Sequence, residues 1–246
     1  SFERVIGLHH ATEVGFAIGF FHSLVSDLAP SSLQDTLEGF HVTVLYLRRY
    51  QAVLAGGSLP ASSDISWCMD FIERRKDLVH VLEDAKADGR IPLRIMHGDP
   101  KVDNVMIDTG TKLAVSIVDL DTVKPGLVQY DIGDALRSCC NPAGEDAANL
   151  GEVRFEPELC RALLGGYFAA GKDFLSSSER QLVYYSVRLM AFELGLRFFT
   201  DFLEGDIYFS VEDGAQNLRR ALVQFRLTES IESQAAVLQT IIREAK

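Results

Sequence analysis

Apolar residues recur at three- and four-residue steps along most of the chain, which is the spacing of one buried helix face. Breaks in this pattern coincide with signals that end helices, such as Ala29-Pro30 and the Gly56-Gly57 pair. Serines placed before two of the apolar stretches can cap helix N-termini. The pattern therefore predicts a mostly α-helical protein. The predicted helices cover about residues 11–28, 42–54, 62–82, 130–138, 157–170, 177–196 and 216–244.

A different pattern interrupts the helices near the middle of the chain. Residues 93–97 and 105–107 are short apolar runs, Thr109-Gly110-Thr111 is a turn, and residues 113–118 are rich in branched side chains. Such runs are typical of short β-strands separated by tight turns. We therefore expect an α+β fold that is mostly α, with a small β insert between two helical parts.

The chain shows no repeat, low-complexity segment or linker, which predicts one domain over residues 1–246. Within it we distinguish a helical part at 1–90, a segment of loops at 91–126 and a second helical part at 127–246. The longest apolar run, at residues 14–21, is too short to span a bilayer, and no secretory signal is visible.

Charge and cysteine usage narrow the possible partners and the compartment. The formal net charge is -11, and such a surface repels a nucleic-acid backbone or an anionic membrane, so we expect neither as a partner. The four cysteines form no Cys-x-x-Cys pair and are predicted to be reduced, buried thiols of a cytoplasmic protein. The sequence makes no prediction of the oligomeric state.

Polar side chains concentrate where the predicted strands end. Residues 96–107 read MHGDPKVDNVMI, and residues 117–121 read IVDLD. A carboxylate with no expected cationic partner, an amide after it and a second carboxylate further on are what Mg²⁺-assisted phosphoryl transfer requires. In this interpretation Asp99 accepts the proton of an attacking hydroxyl, while Asn104 and Asp119 hold Mg²⁺ on the phosphates.

Each of these side chains also has a purely structural interpretation. Gly98-Asp99-Pro100 suits a turn, and Asn104 could cap the loop. Asp121 would share a strand face with Asp119 by two-residue alternation, where it either completes the metal shell or is solvated.

Neighbouring residues extend the cluster. Lys101, which we count with Asp99 among the expected catalytic residues, either neutralises developing phosphate charge or contacts substrate; the alternative is an exposed loop lysine. We interpret His97 as a structural histidine that hydrogen-bonds the loop rather than as a catalytic group. Asp131 and Asp134 stand at a predicted helix start, where N-terminal capping explains both, although Asp131 could also tie the metal loop in place.

Three motifs make the sequence recognisable. HGDPKVDN (97–104), IVDLDTVKPG (117–126) and YDIGDALR (130–137) resemble those of the aminoglycoside phosphotransferase/choline kinase superfamily, which is related to protein kinases. Within it the chain is most similar to the N-acetylhexosamine 1-kinase group, and the likeness continues into residues 197–209 and 216–227. The resemblance implies a protein-kinase-like C-terminal lobe with ATP and Mg²⁺ as cofactors.

The resemblance also implies roles for individual residues. Asp99 is the expected catalytic base, and Asn104 and Asp119 are the expected Mg²⁺ ligands. The second helical part would bind the acceptor, with Arg197 and Tyr208 as the sugar-contacting pair. His97, Asp121 and Asp131 would be structural residues near the site.

One departure from the superfamily pattern affects the expected activity. Kinases of this type have an N-terminal β-rich lobe with a phosphate-covering loop and a lysine for the phosphates, and the sequence shows neither. With this N-terminal β-lobe absent, we expect weak ATP binding and poor turnover, because much of the rate comes from positioning.

These observations lead to one expected function and leave two alternatives open. We expect ATP-dependent phosphorylation of a small-molecule hydroxyl, such as that of an N-acetylhexosamine. A non-catalytic kinase-like module is one alternative, and a kinase for an aminoglycoside or amino-alcohol acceptor is the other. A choline-type site needs an aromatic cage, and Trp67, the only tryptophan, lies in a predicted helix where a core or interface role is expected.

Overall fold

Helices make up most of the part of the chain that the computed structural model describes, which is residues 2, 4–57, 62–171 and 174–245. This confirms the predicted mostly helical fold with a small β insert. The helices are α1 (Leu8–Leu24), α2 (Thr43–Ala55), α3 (Ser63–Glu73), α4 (Val81–Ala87), α5 (Val128–Cys139), α6 (Pro157–Ala170), α7 (Ser177–Gln181), α8 (Val183–Glu204), α9 (Gln216–Ser233) and α10 (Ala235–Glu244). The strands are β1 (Arg94–Met96), β2 (Val105–Ile107), β3 (Ala114–Ile117) and β4 (Lys124–Gly126).

The β insert consists of two antiparallel pairs, and their register brings two loops together. Met96 at the end of β1 lies opposite Lys124 at the start of β4. Val105 at the start of β2 lies opposite Ile117 at the end of β3. The loop between β1 and β2 and the loop between β3 and β4 therefore leave the insert at the same junction. These two loops carry the polar cluster that the sequence singles out.

Strand β4 is absent from the predicted elements because its sequence is Lys-Pro-Gly. Proline cannot donate to a strand ladder and is confined to edges. Pro125 is accepted here because β4 pairs only with β1 and lies at the edge of a two-stranded sheet.

Several predicted helices are correctly located but differ in extent. α6 has the predicted bounds, with Pro157 in its first turn. α1 ends at Leu24, about one turn before the prediction. The predicted helix over 62–82 is divided into α3, a 3₁₀ turn at Lys76–His80 and α4, because apolar spacing reports burial and not unbroken hydrogen bonding.

The C-terminal half shows the same difference. The predicted long helix is divided at Leu182 into α7 and α8, and the tail is divided at Gln234 into α9 and α10. Ser176, one residue before the predicted caps, starts α7 through a capping box with Glu179. Tyr185, predicted to be on the core face of this helix, is 39% exposed.

Helices α1 and α6 cross with their backbones in close contact. A Cβ atom at Gly15 would lie 1.9 Å from the Leu163 carbonyl oxygen, and one at Gly166 would lie 1.9 Å from the Thr12 carbonyl oxygen. Glycine is therefore required on both helices. The close crossing fixes α1 beneath the β2–β3 hairpin, where Glu13 accepts a hydrogen bond from the Ala114 amide at 2.8 Å.

The buried side chains form clusters on both sides of the insert. Phe71 stacks on both Phe192 and Phe225, and the latter two rings pack at a tilt, between α3, α8 and α9. Trp67 packs on Phe71, in line with the expected core or interface role.

All four cysteines are buried free thiols, as predicted, and burial raises the pKa of Cys68 to about 12. Within the described ranges, none of the helices combines the length and apolar character needed to cross a membrane.

Candidate active site

The loop between β1 and β2 is anchored from behind by a buried carboxylate on α5. Asp131 accepts hydrogen bonds from the backbone amides of His97 at 2.6 Å and Gly98 at 2.8 Å. Its Oδ2 also lies 2.8 Å from Nε2 of His22 on α1, and both side chains are fully buried. Burial alone would raise the pKa of Asp131, but the hydrogen bonds and charge of its partners lower that pKa below its ordinary value.

This anchor corrects one interpretation made from the sequence. Asp131 lies inside α5 and does not cap it, because α5 begins at Val128 and its N-cap residue is Leu127. The observed contacts instead match the second interpretation made from the sequence, in which Asp131 ties the loop in place. Asp134 is not a cap either, since its carboxylate accepts a hydrogen bond from Arg137 at 2.7 Å.

His97 connects the two loops of the insert from a fully buried position. Its Nδ1 accepts a hydrogen bond from the Asp99 amide at 3.3 Å, so Nε2 carries the proton and donates to the Val118 carbonyl at 3.0 Å. Thr122 donates to the His97 carbonyl at 2.8 Å. The residue therefore has the structural position that the sequence favoured, with both ring nitrogens used inside the protein.

Gly98 occupies a backbone conformation that requires glycine. Its φ is 89°, and a Cβ atom there would lie 2.6 Å from the Thr122 carbonyl oxygen. The glycine thus lets the chain turn sharply between the buried His97 and the partly exposed Asp99.

Three polar side chains converge in front of this anchor. Nδ2 of Asn104 lies 3.1 Å from Oδ2 of Asp99 and 3.5 Å from Oδ2 of Asp119, and it donates to the Asp99 carbonyl at 2.8 Å. The two loops therefore bring together the three residues that the sequence assigns to the proton acceptor and the metal. The amide nitrogen of Asn104 faces the carboxylates, so its oxygen would face a cation after a half-turn of the broad, two-fold terminal torsion.

The chain turns sharply at Asp119 instead of continuing β3. Asp119 has φ 65° and ψ 57°, in the left-handed region, and Leu120–Thr122 form a 3₁₀ turn. Asp119 and Asp121 therefore do not share a strand face, and the two-residue alternation assumed for them is wrong. Asp tolerates the left-handed region because its short side chain bonds locally. Asp121 is exposed and lines the neighbouring cleft.

Lys101 corrects a second expectation, that Asp99 lacks a cationic partner. Its Nζ lies 2.8 Å from Oδ2 of Asp99, and the two side chains are 37% and 28% exposed. Partial burial would lower the pKa of Lys101, but its hydrogen bond and ion pair with Asp99 raise that pKa above its ordinary value. Residue spacing alone does not reveal this contact, because it depends on the directions of two side chains in an irregular loop.

A cleft of about 610 Å³ opens beside these residues. Asp99 and Lys101 line it, and so do Arg197 and Tyr208, the two residues expected to contact the acceptor, which we call the acceptor wall. Tyr208 is 63% exposed, so its ring is available to a ligand. Arg197 and Tyr208 therefore line the same cleft as Asp99, the expected proton acceptor.

Aromatic rings surround the Arg197 guanidinium. Its Cζ lies 5.0 to 5.8 Å from the centres of four rings, within the range of cation–π contact. The cation enclosed by these rings belongs to the protein itself. Burial raises the pKa of one of the ring-bearing residues, Tyr46, to about 12. The rings are those of Phe40, Tyr46, Tyr208 and Phe209.

The loop that carries Tyr208 is fixed by a residue that the sequence did not single out. The buried Asp201 carboxylate accepts hydrogen bonds from the successive amides of Ile207, Tyr208 and Phe209 at 3.1, 2.8 and 3.0 Å. Asn217 on α9 donates to the same carboxylate at 3.0 Å. The Gly205-Asp206 pair after α8 signals a turn in the sequence, but the captured amides are visible only in the structure.

The side chains at this site suit a hard divalent cation that takes most of its ligands from water and substrate and only one or two from the protein. In the described part of the chain, no three His, Cys, Asp or Glu side chains converge as a metal cluster. Asp119 and Asn104 instead offer a carboxylate and an amide oxygen beside a second carboxylate, that of Asp99. Mg²⁺ is bound in this way, by one or two protein oxygens together with water and substrate phosphates.

The chain is similar to known phosphotransferases in sequence and in fold. A sequence profile of the phosphotransferase enzyme family (APH) matches residues 18–171, which include both loops of the β insert. The crystal structure of an aminoglycoside phosphotransferase from Alicyclobacillus acidocaldarius is 16% identical, with a TM-score of 0.62, over 96% of this chain and 67% of that one.

Two further kinases have a similar fold. A choline kinase from Cryptosporidium parvum is 13% identical, with a TM-score of 0.58, over 95% of this chain and 68% of that one. An ethanolamine kinase from Plasmodium vivax is 12% identical, with a TM-score of 0.57, over 94% of this chain and 62% of that one. The chain spans about two thirds of the length of these proteins, and the likeness identifies the fold as that of a kinase-like C-terminal lobe.

Proposed function

The chain belongs to the phosphotransferase enzyme family, and from this membership we propose that it transfers the γ-phosphoryl group of ATP to a hydroxyl group of a small molecule. The observation that carries the proposal is the convergence of Asn104 and Asp119 on Asp99, which lines the cleft. A sugar such as an N-acetylhexosamine is the proposed acceptor, and the reducing cytoplasm, which suits four free thiols, is the proposed compartment.

Asp99 is the proposed general base. The acceptor oxygen forms a bond to the γ-phosphorus while the bond to the ADP oxygen breaks, and ADP leaves with the electron pair. The hydroxyl proton moves to the Asp99 carboxylate. Lys101, which is bonded to that carboxylate at 2.8 Å, holds its orientation and brings a positive charge next to the transferred group.

Asn104 and Asp119 are the proposed Mg²⁺ ligands. When bound, the ion neutralises charge on the β- and γ-phosphates and aligns them for transfer. The protein itself contributes the left-handed turn after β3, which directs the Asp119 carboxylate away from the strand. The Asn104 backbone amide donates to the Lys101 carbonyl at 3.0 Å, which keeps Asn104 beside the Asp99 loop in either orientation of its side-chain amide.

Arg197 and Tyr208 are the proposed acceptor contacts. A guanidinium presents fixed N–H donors to hydroxyl or amide oxygens of a sugar, and an exposed tyrosine ring can stack on the sugar ring. A cationic amino alcohol is the weaker candidate, because the aromatic enclosure that would attract its ammonium group already contains Arg197.

A transfer assay with ATP, Mg²⁺ and a panel of sugars, amino alcohols and aminoglycosides tests the proposal, with products followed by phosphorus NMR. Asp99→Asn should lower turnover by about 10² to 10⁴-fold without changing the unfolding temperature. Asp64→Asn, the same change at an exposed helix start, should leave turnover unchanged. Full activity in Asp99→Asn would contradict the base assignment.

ATP titration in the presence and absence of Mg²⁺ distinguishes the enzyme from a non-catalytic module. The proposed function requires Mg²⁺-dependent nucleotide binding, and this dependence should be lost in Asp119→Asn. A chain that binds no nucleotide and phosphorylates none of the acceptors would instead be a module that keeps only the kinase fold.

A further inference from the structure

A buried histidine connects the loop that carries Asp99 to the acceptor wall. His41 lies just before α2, is 4% exposed and has φ 64°. Its Nε2 lies 2.7 Å from the Gly98 carbonyl oxygen, and its Nδ1 lies 2.7 Å from Oε1 of Glu193 on α8. One ring thus joins two segments that are far apart in the sequence.

Both contacts of this ring are made to acceptor oxygens. A neutral imidazole donates from one nitrogen only, so it can donate to the carbonyl or to the carboxylate but not to both. The imidazolium form donates from both nitrogens and satisfies both oxygens. The geometry of His41 is therefore that of a charged histidine paired with Glu193.

The groups around His41 favour the charged form. Glu193 accepts a second hydrogen bond from Thr43 at 2.5 Å, and its Oε1 lies 4.0 Å from Nη1 of Arg197. Burial lowers the pKa of His41, but the Glu193 carboxylate outweighs burial and raises that pKa above its ordinary value. Among the more distant groups, Arg197 lowers this pKa and Asp134 on α5 raises it.

Two tyrosines also face the ring. Tyr130 of α5 stacks with His41 at 5.7 Å between ring centres, and the Tyr46 hydroxyl of α2 accepts a hydrogen bond from the His41 amide at 3.4 Å. Burial raises the pKa of both phenols, so both stay neutral while His41 titrates.

The contact with Gly98 acts on the peptide bond that precedes Asp99. The carbonyl of this peptide accepts from His41, and its N–H donates to Nδ1 of His97 at 3.3 Å. The peptide plane is therefore held at both ends. Glycine at position 98 has the backbone freedom to let this plane rotate if either contact is lost.

We propose that His41, in its imidazolium form, is a positioning residue that clamps the Gly98–Asp99 peptide to Glu193 and so sets the direction of the Asp99 carboxylate relative to the acceptor wall. The proposal rests on the proposed function for its catalytic consequence, while the clamp itself is a property of the fold. Glu193 and Arg197 stand one helical turn apart on α8. The clamp therefore also fixes the separation between Asp99 and Arg197 of the acceptor wall.

Two variants separate positioning from a merely structural role. As pH rises through the pKa of His41, one of its two hydrogen bonds is lost, and kcat should fall. In Glu193→Gln the anionic partner is gone, so the pKa of His41 should fall and the alkaline limb of the kcat profile should move to lower pH. In His41→Gln the side chain keeps one donor for Gly98 but does not titrate, so this alkaline limb should disappear.

The loss of activity in these variants should appear mainly as a lower kcat. A misdirected base lowers kcat by about 10- to 100-fold, whereas KM for the acceptor should change by less than about threefold. Glu232→Gln is the matched control, because Glu232 is also a partly buried carboxylate with two partners, Arg75 and Arg188, but does not touch the loop. Its pH profile should match that of the unaltered chain.

NMR titration of the labelled histidines makes the test independent of activity. His41 should titrate above the ordinary histidine range and return towards it in Glu193→Gln, and the Asp99 amide should exchange faster in that variant. If no acceptor is phosphorylated, the proposed function fails while these signals still test the clamp. The proposal is overturned if His41 titrates in the ordinary range in both proteins, or if the kcat profile is the same in the active chain and in both variants.

Discussion

The rear and the front of the loop between β1 and β2 are built on opposite principles. At the rear, Asp131 is fully buried, and its oxygens accept from two loop amides and from His22. At the front, Asp99 is partly buried and Asp119 is exposed, and the two carboxylates share one amide donor, that of Asn104. A buried charge is stable only when it is paired and hydrogen-bonded, whereas solvent tolerates neighbouring carboxylates near the surface, here with Lys101 beside Asp99.

This contrast separates stability from chemistry. The rear fixes the backbone and contributes to the free energy of unfolding. The front holds carboxylates close together, which costs stability and prepares a place for a cation. Substitutions at the rear should therefore lower stability and activity together, and substitutions at the front should lower activity alone.

The largest effect on stability is expected for Asp131→Asn. The change removes a buried charge whose partners remain, so the free energy of unfolding should fall by about 3 to 5 kcal/mol in urea denaturation. Asp121→Asn, at the exposed front, should change it by less than about 0.5 kcal/mol. Equal effects at the two positions would remove the distinction between rear and front.

The same anchor predicts the acid sensitivity of the fold. The pKa of Asp131 is lowered in the folded chain, so its stabilising contribution is fully present above the ordinary aspartate pKa. It is lost as pH falls through the lowered value. Urea midpoints measured at decreasing pH should therefore fall more steeply in the unaltered chain than in Asp131→Asn.

A smaller loss of stability is expected for Gly98→Ala. The new methyl group would meet the Thr122 carbonyl and the residue would keep a positive φ, which should cost about 1 to 3 kcal/mol and reduce turnover. Gly214→Ala is the control, because a Cβ atom there meets nothing within 4 Å. Thermal unfolding of the two variants compares them, and a Gly98→Ala protein as stable as the control would show that the loop is not held rigidly.

The smallest change in stability is expected for Asp119→Asn. Removing one of two neighbouring carboxylates should leave the free energy of unfolding unchanged or raise it by about 0.5 kcal/mol, because their repulsion is relieved. The stabilisation that Mg²⁺ and ATP give to the folded chain should be lost. Thermal unfolding with and without these ligands measures both effects, and a marked loss of stability without ligands would assign Asp119 to the rear class.

Local patterns predicted the elements of the fold better than their ends and contacts. Apolar spacing located the helices because burial of one face follows the helical period, and α6 was predicted with its bounds. It did not locate the breaks at Leu182 and Gln234, since the buried face continues across them. β4 was missed because a proline in a strand is acceptable only at an edge, which is a tertiary property.

The candidate site was likewise predicted only in part, where local patterns were sufficient. The spacing of Asp99, Asn104 and Asp119 was sufficient to predict their convergence, because two short antiparallel pairs bring the loops together. The pairing of His41 with Glu193 was missed, since 152 residues separate them and no local pattern links them. The pairing of Lys101 with Asp99 was also missed, because it depends on side-chain directions in an irregular turn.

The backbone at Asp119 has a practical consequence for mutational scanning. Any side chain other than asparagine, aspartate or glycine in a left-handed residue adds about 1 to 2 kcal/mol of steric cost. An alanine library would merge that cost with the missing carboxylate and rank position 119 among the folding determinants. Asparagine tolerates the same dihedral angles, so only the aspartate-to-asparagine exchange reports what the negative charge contributes.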